Sequence, residues 1–387
     1  MKMMQQTMRW YGPKDPVSLQ DIRQAGASGI VTALHEIPNG EVWSRQAIRE
    51  RKNLIENAGL NWAVVESVPV HEKIKTRTGN YKELIENYKK TLVNLAAEEV
   101  YTICYNFMPI LDWIRTDLYY ELPNGARALY FEMKALAAFD IFILKREGAE
   151  ESYTADILEK ARLYYTSMSS DEIDRLKRTI LDNLPGAEVG YTLEEFQKVL
   201  STYDEIDRSK LEEHLRLFLN EILSTAEEVG CFMAIHPDDP PFSILGLPRI
   251  MSSTNDIERI LANNASPNNG ITFCTGSLGV KKANNLLEII DRFSSHIHFV
   301  HLRSTKRDSE GNFFEANHLE GDVPMYEVIK KLLTIQNNRN LVLPMRPDHG
   351  HQLLTDLNIK TNPGYSAIGR LKGLAELRGV MYSLRHK

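Results

Sequence analysis

The sequence predicts an α/β protein built as a (β/α)8 TIM barrel, with a helical insertion between strands four and five. Three observations predict it. Eight short β-branched or apolar runs alternate with longer helical patterns from one end of the chain to the other. Most of the gaps between them hold 19 to 37 residues, room for a loop, a helix of three or four turns and another loop, which is the spacing of parallel strands joined by crossover helices. The rival architecture, an open doubly wound sheet, usually announces a phosphate loop, yet no GxGxxG follows the first strand and no GxxxxGK[ST] occurs anywhere.

The predicted strands occupy residues 3–10, 29–34, 61–68, 100–108, 231–236, 270–277, 297–303 and 341–346. One gap breaks the rhythm, between strand four, ending near Met108, and strand five, starting near Cys231. A barrel of this kind needs about 250 residues, and the surplus in a chain of 387 is close to the size of that gap. Residues 1–387 therefore read as one catalytic barrel domain with an insertion at approximately 113–207. The insertion reads as helices: an apolar stretch at 128–144, a run begun by the capping box Ser169-Ser170-Asp171-Glu172, and another begun by Thr192-Leu193-Glu194-Glu195. In the helix before strand five, Leu211, Leu215, Phe218, Leu219, Ile222, Leu223 and Ala226 share one face. Ser209 and Glu212 form its start signal, and Gly230 its stop. The insertion is expected to be a packing or dimerisation appendage rather than a second catalytic domain.

Composition removes several function classes. With 43% hydrophobic and 25% charged residues the chain can bury a large core. Lys plus Arg is 46 against 52 for Asp plus Glu, a net charge of −6, so no basic field exists to hold a phosphate backbone and no nucleic-acid partner is expected. No stretch approaches the roughly 18 uninterrupted apolar residues of a membrane span. The opening MKMMQQTMRW also lacks the apolar core of an export signal. The three cysteines, Cys104, Cys231 and Cys274, form no Cys-x-x-Cys pair, so neither a disulfide framework nor a zinc knuckle is expected and a reducing cytoplasm is the expected location.

In a parallel barrel the active site forms at the carboxyl ends of the strands. The last four predicted strands end in Ala234-Ile235-His236-Pro237-Asp238-Asp239, Thr272-Phe273-Cys274-Thr275-Gly276, Val300-His301-Leu302-Arg303 and Pro344-Met345-Arg346-Pro347-Asp348-His349. His236, Cys274, His301 and Asp348 thus offer two imidazoles, a thiol and a carboxylate on one rim, a transition-metal ligand set. One such residue alone is more often a cap or a core residue. Four on four consecutive strand ends point to a metal. Cys104 and Cys231 read as core cysteines. Earlier strands end in Arg9-Trp10, Glu66 and Asn106, and Arg9, Arg303 and Arg346 together suit a small anionic substrate, above all a carboxylate. The loop at 304–324, with Phe313, Glu315, His318 and Glu320, has the length of a lid, though an ordinary solvated loop fits it almost as well.

Longer segments carry a resemblance: Arg9-Trp10-Tyr11-Gly12, His35-Glu36-Ile37-Pro38-Asn39-Gly40-Glu41-Val42-Trp43, Cys104-Tyr105-Asn106-Phe107-Met108-Pro109, His318-Leu319-Glu320-Gly321, Pro347-Asp348-His349-Gly350-His351, and Asn362-Pro363-Gly364-Tyr365-Ser366-Ala367-Ile368-Gly369-Arg370. On these the chain resembles, end to end, the D-mannonate dehydratases of hexuronate breakdown, which belong to the xylose-isomerase-like barrels. The resemblance implies metal ligation by His236, Cys274, His301 and Asp348. It puts the catalytic arginine and tyrosine at Arg346 and Tyr365, with Asp348 beside them and His349 as the rival proton-transfer group. Substrate contacts are expected at Arg9, Asn106, Arg303 and His318. A cation and Arg346 near Tyr365 are expected to lower its phenol pKa. The implied reaction is dehydration of D-mannonate, a small sugar acid, to 2-dehydro-3-deoxy-D-gluconate with Mn²⁺ or Fe²⁺, in a homo-oligomer, a dimer. Ligand softness alone would favour Zn²⁺ or Fe²⁺ over Mn²⁺ at a thiolate. Two alternatives stay open: a metal-dependent sugar or sugar-acid isomerase or epimerase, which usually needs more carboxylates than Glu66 and Asp348, and a non-enzymatic sugar-acid sensor.

Overall fold

The computed structural model describes residues 2–181 and 191–385. Along the chain the strands are β1 (Gln5–Arg9), β2 (Gly29–Thr32), β3 (Asn61–Glu66), β4 (Thr102–Tyr105), β5 (Asp117–Glu121), β6 (Arg127–Phe131), β7 (Phe232–Ile235), β8 (Asn269–Cys274), β9 (Ile297–His301), β10 (Thr305–Arg307), β11 (Phe313–Glu315) and β12 (Pro344–Arg346). Eight of them close a parallel barrel in the order β1-β12-β9-β8-β7-β4-β3-β2. All eight expected strands are present. Every residue of β2, β8 and β9 is buried, as parallel strands covered on both faces require.

Register then decides what shares a face. Cys274 pairs with His301, and His301 with Arg346, across three neighbouring strands. Paired residues in a sheet project to the same side, so these three side chains form a row at the carboxyl end of the barrel. Glu66 and Cys104 pair likewise on β3 and β4.

Between β4 and β7 the chain follows the expectation in some places and departs from it in others. The capping boxes are real: Ser169 and Glu172 exchange hydrogen bonds at the start of helix Ser170–Leu181, and Thr192 and Glu195 do so at helix Leu193–Ser201. The stretch 128–144, expected to be one helix, is not. Its first residues belong to β6, and only then come an α-helix at Met133–Ala138 and a π-helical turn at Phe139–Leu144. The reason is tertiary. β6 pairs with β5 and with the distant β11, and Phe131 stacks on Phe313 at 5.2 Å, so a short apolar run of ambiguous period is recruited as a strand. The resulting antiparallel sheet runs β10-β11-β6-β5. It also corrects the expected lid: within 304–324 the chain forms the β10–β11 hairpin, with Phe313 and Glu315 buried.

The cap of helix Arg208–Val229 lies two residues before Ser209 of the expected start signal, because the Asp207 carboxylate caps it by accepting from the Lys210 N–H at 2.8 Å. Gly230 ends it at φ 75°, a left-handed conformation that glycine adopts without strain. The expected apolar face is buried throughout. At its centre Phe218 contacts the rings of Tyr88, Phe107 and Tyr105, with centroids 5.3, 5.8 and 6.2 Å away. Among the described residues no helix is long and apolar enough to cross a membrane.

Phe218 is fully buried, so Phe218→Ala should cost about 3–5 kcal/mol of stability while leaving metal binding intact in the fraction that folds. Denaturant unfolding monitored by circular dichroism measures this. A loss below about 1 kcal/mol would show that the helix packs on the barrel through other contacts.

Candidate active site

The donor atoms of His236, Cys274 and His301 lie within 4.8 Å of one another at the ends of β7, β8 and β9. The Nδ1–H of His236 donates to the Pro237 carbonyl at 2.7 Å, which leaves Nε2 as the lone-pair nitrogen, 3.2 Å from His301 Nδ1. Cys274 is fully buried and its sulfur also caps the helix Thr275–Val280, accepting from the Ser277 N–H at 3.5 Å. Asp348 sits two residues beyond β12 at φ 61°, a left-handed backbone uncommon outside glycine. From there its Oδ2 lies 3.8 Å from His301 Nδ1 and 3.9 Å from Cys274 Sγ, and its Oδ1 accepts from Arg346.

Electrostatics set the protonation states. Burial lowers the His236 pKa and favours the neutral ring. Burial alone would raise Asp348, but Arg346, followed by His349, His301 and Arg303, overrides it and holds the carboxyl well below its usual range. A neutral imidazole and an ionised carboxylate are the forms that bind metal. Two imidazoles, a buried thiol and a carboxylate at this spacing fit a divalent transition metal.

The cluster lies beside a cavity of about 860 Å³ walled by Arg9, Glu66, Asn106, Arg303, Arg346, Asp348, His349 and Tyr365, among others. The arginines expected to greet an anion are not free cations. Arg346 donates from Nη2 to Glu66 Oε1 at 2.9 Å and from Nε to His301 Nε2 at 3.0 Å, and Arg9 Nη1 lies 3.3 Å from the same Glu66 oxygen. Glu66 Oε2 is buried without a hydrogen-bond partner among the described residues, an unmet acceptor. Arg303 donates to Asp239 Oδ2 at 2.7 Å and lies 3.3 Å from both Asp348 Oδ2 and Glu315 Oε2. Gly276 makes this approach possible, since a Cβ there would stand 1.9 Å from Arg303 Nε. Asn106 lines the wall with its amide on Asp112 at 3.0 Å.

Two expectations change. His318 does not line the cavity: its Nε2 lies 2.7 Å from the Pro347 carbonyl and its ring packs against Gly373, so it braces the turn that bears Asp348. The segment between β4 and β7, expected to be a packing or dimerisation appendage, also reaches the site, since Glu195, Lys198 and Val199 of helix Leu193–Ser201 line the same cavity. Asp239 and Glu315, absent from the expected site set, prove to be the buried partners of Arg303. Asp239 was visible in the strand-five ending, whereas only the hairpin fold reveals Glu315.

The Tyr365 hydroxyl is 3.1 Å from His349 Nε2, and His349 Nδ1 is 3.1 Å from Glu315 Oε1. Tyr365 stands edge-on to Tyr11 and to His349, at 5.1 and 5.0 Å between centroids. The expected pull from Arg346 is present, but burial outweighs it among the protein groups. Burial raises the phenol pKa, and although Arg346 and Arg9 pull it down, Asp348 and Glu66 push with the burial, so the phenol keeps its proton. Glu315 would be raised by burial, but Arg303, His349 and Arg115 hold it down to about 2.

Comparison with known proteins adds to this geometry. The family model described as D-mannonate dehydratase matches residues 4–387. The chain is 55% identical over 388 residues to the mannonate dehydratase of Marinomonas sp. (strain MWYL1), covering 99% of each chain. It is 52% identical over 387 residues to that of Chromohalobacter salexigens, again with 99% of each chain covered. Among solved structures it is similar to mannonate dehydratase from Streptococcus suis serotype 2, with a TM-score of 0.79 and 33% identity over 100% of this chain and 95% of that one. D-psicose 3-epimerase from Clostridium cellulolyticum H10, with a TM-score of 0.52 and 12% identity over 99% of each chain, shares the fold alone.

The geometry separates the three buried cysteines. Cys274→Ser should abolish stoichiometric Mn²⁺ or Fe²⁺ binding, because a hydroxyl is a poor substitute for a thiolate. Cys104 contacts Thr272 and Cys231 the Leu92 carbonyl, so serine at either should leave metal content unchanged. Metal analysis after gel filtration reads the result, and equal loss in all three variants would refute Cys274 as a ligand.

Proposed function

Because the chain belongs to the D-mannonate dehydratase family, we propose that its cavity removes water from D-mannonate to give 2-dehydro-3-deoxy-D-gluconate. The observation that carries this reading is the meeting, in one cavity, of the His236, Cys274, His301 and Asp348 cluster with Arg346 and the Tyr365–His349 pair. In this reaction the C2–H bond breaks, its electron pair forms the C2=C3 double bond, and the C3 hydroxyl leaves with a proton as water. The enol then takes a proton at C3 and becomes the 2-keto acid. The C2 proton is only weakly acidic beside a carboxylate, so the site must stabilise the charge that develops there.

A Mn²⁺ or Fe²⁺ ion held by His236, Cys274, His301 and Asp348 would supply Lewis-acid polarisation of substrate oxygens. Family resemblance favours the first metal and ligand softness the second. In the proposal Arg346 and Arg9 hold the substrate carboxylate, aided by the wall at Asn106 and Arg303. Their donors converge on Glu66 Oε1, so an anion bound beside it draws on a cationic pair already gathered there, by redistributing donors now in use. Tyr365, protonated and buried, moves a proton at its phenolic oxygen, with His349 Nε2 as the partner behind it. His318 acts indirectly, by bracing Pro347. The isomerase reading gains nothing from the extra carboxylates, since Glu66, Asp239 and Glu315 are each tied to arginine.

The same proposal describes a cytoplasmic homodimer acting on a small sugar acid, its single catalytic domain carrying residues 113–207 as an insertion. The three free, buried cysteines support the location, and the cavity-lining helix Leu193–Ser201 supports one domain.

Incubation with Mn²⁺ or Fe²⁺ and D-mannonate should accumulate a 2-keto acid, and exhaustive chelation should stop it. A metal-loaded protein that forms no such product would overturn the reading. Tyr365→Phe should keep metal and substrate binding while kcat drops by about 10² or more. Near-normal turnover by that variant would hand the proton transfer to His349.

A further inference from the structure

Glu315 reaches the site from outside the barrel, on β11 of the antiparallel sheet. Its carboxylate is buried between two guanidinium groups, Arg115 Nη2 at 2.9 Å and Arg303 Nε at 3.3 Å, and still lies 3.1 Å from His349 Nδ1. The cationic surroundings keep it ionised, and an ionised carboxylate can only accept hydrogen bonds. Two groups therefore compete for the same imidazole nitrogen. Glu315 demands that Nδ1 carry the hydrogen, whereas Arg303 Nη1, 3.2 Å away, could donate to a bare Nδ1. Arg303 has other acceptors in Asp239 and Asp348.

We propose that Glu315 is a positioning residue for the dehydration: its carboxylate fixes the Nδ1–H tautomer of His349, which leaves Nε2 bare to accept the hydroxyl proton of Tyr365. This rests on the function proposed above, in which Tyr365 and His349 move a proton. With the ring in this tautomer, Nε2 at 3.1 Å from the phenol is an acceptor, and Asp348 Oδ1, 3.7 Å from Nε2, is beyond hydrogen-bond reach. In the other tautomer an Nε2–H would face the phenol oxygen, the Tyr365 hydrogen would have to turn away, and the route from Tyr365 to His349 would be closed. A carboxylate that selects a histidine tautomer for a neighbouring hydroxyl is the orienting logic of the Ser-His-Asp triad, here applied to a tyrosine.

Glu315→Gln replaces the acceptor by an amide whose NH₂ can donate to Nδ1. The test begins with ¹⁵N-histidine NMR of the metal-free protein, the His349 resonances being identified by their loss in His349→Ala. Wild-type protein should show a hydrogen-bearing Nδ1 and a bare Nε2, and Glu315→Gln the reverse. An Nε2–H tautomer in wild type overturns the assignment. In the metal-loaded enzyme Glu315→Gln should lower kcat by about 10²-fold or more with KM within about threefold. Added to His349→Ala it should lower kcat by less than about threefold further, since it acts through that ring. An equal loss in both backgrounds would show a merely structural role for the ion network. Glu315→Asp keeps the carboxylate, so it should retain the wild-type tautomer and part of the lost kcat; it takes over both comparisons if the glutamine variant does not fold. A wild-type enzyme without dehydratase activity would count against the proposed function, while the NMR comparison would still decide the tautomer.

Discussion

Arg115 and Arg303 are almost wholly excluded from solvent, a placement that would be prohibitive for unpaired guanidinium groups. They are tolerated because Asp239 and Glu315 lie between them. Arg115 spans Asp239 at 2.7 Å and Glu315 at 2.9 Å, and Arg303 spans the same two carboxylates at 2.7 and 3.3 Å. The four side chains come from the segment after β4, the turn after β7, the end of β9 and strand β11. One closed ring of alternating charge thus clamps the antiparallel sheet to the mouth of the barrel. Removing a single member would strand an uncompensated charge, at a cost of about 3–5 kcal/mol. The position of His349, and through it that of Tyr365, follows from this ring.

Arg346 plays a complementary part at the other side of the site. Its three donor nitrogens reach three different groups: Glu66, Asp348 and His301. A rigid fork of this kind links a residue of β3 to one on β9 and to the turn beyond its own strand β12. The guanidinium expected to be waiting for substrate is therefore also part of what holds the candidate metal ligands in place. Charge in the cavity is closely balanced, and binding another anion means redistributing donors already in use.

What could be read in advance follows from the periodicity of the fold. Parallel strands end on one rim, so His236, Cys274, His301 and Asp348 announced themselves by position. Their neighbours Arg9, Asn106, Arg303 and Arg346 did so by the same logic. Tyr365 was legible only through the resemblance of the segment around it. Features that depend on pairing between distant segments were hidden. β6 looked helical because its partner β11 is far along the chain, and Glu315 looked like a loop residue for the same reason. His318 shared a segment with lid-like residues but was drawn under the Asp348 turn by the Pro347 carbonyl. For Tyr365 the pull of the arginines was foreseen, whereas the depth of burial that opposes it was not.

The barrel closes between its ends, with Gln5 of β1 paired to Pro344 of β12 and the Arg370 side chain donating to the Arg9 carbonyl at 2.5 Å. Its candidate metal donors span positions 236 to 348. A nascent chain emerging from its amino end thus carries a first strand whose neighbour is made almost last, and a cluster of His236, Cys274 and His301 without its carboxylate. Contacts of such long sequence separation are slow to form. Enclosing the buried Cys274 thiol beside Asp348 therefore requires a segment 74 residues further along the chain, and a slower closing step would leave that thiol open to oxidants for longer.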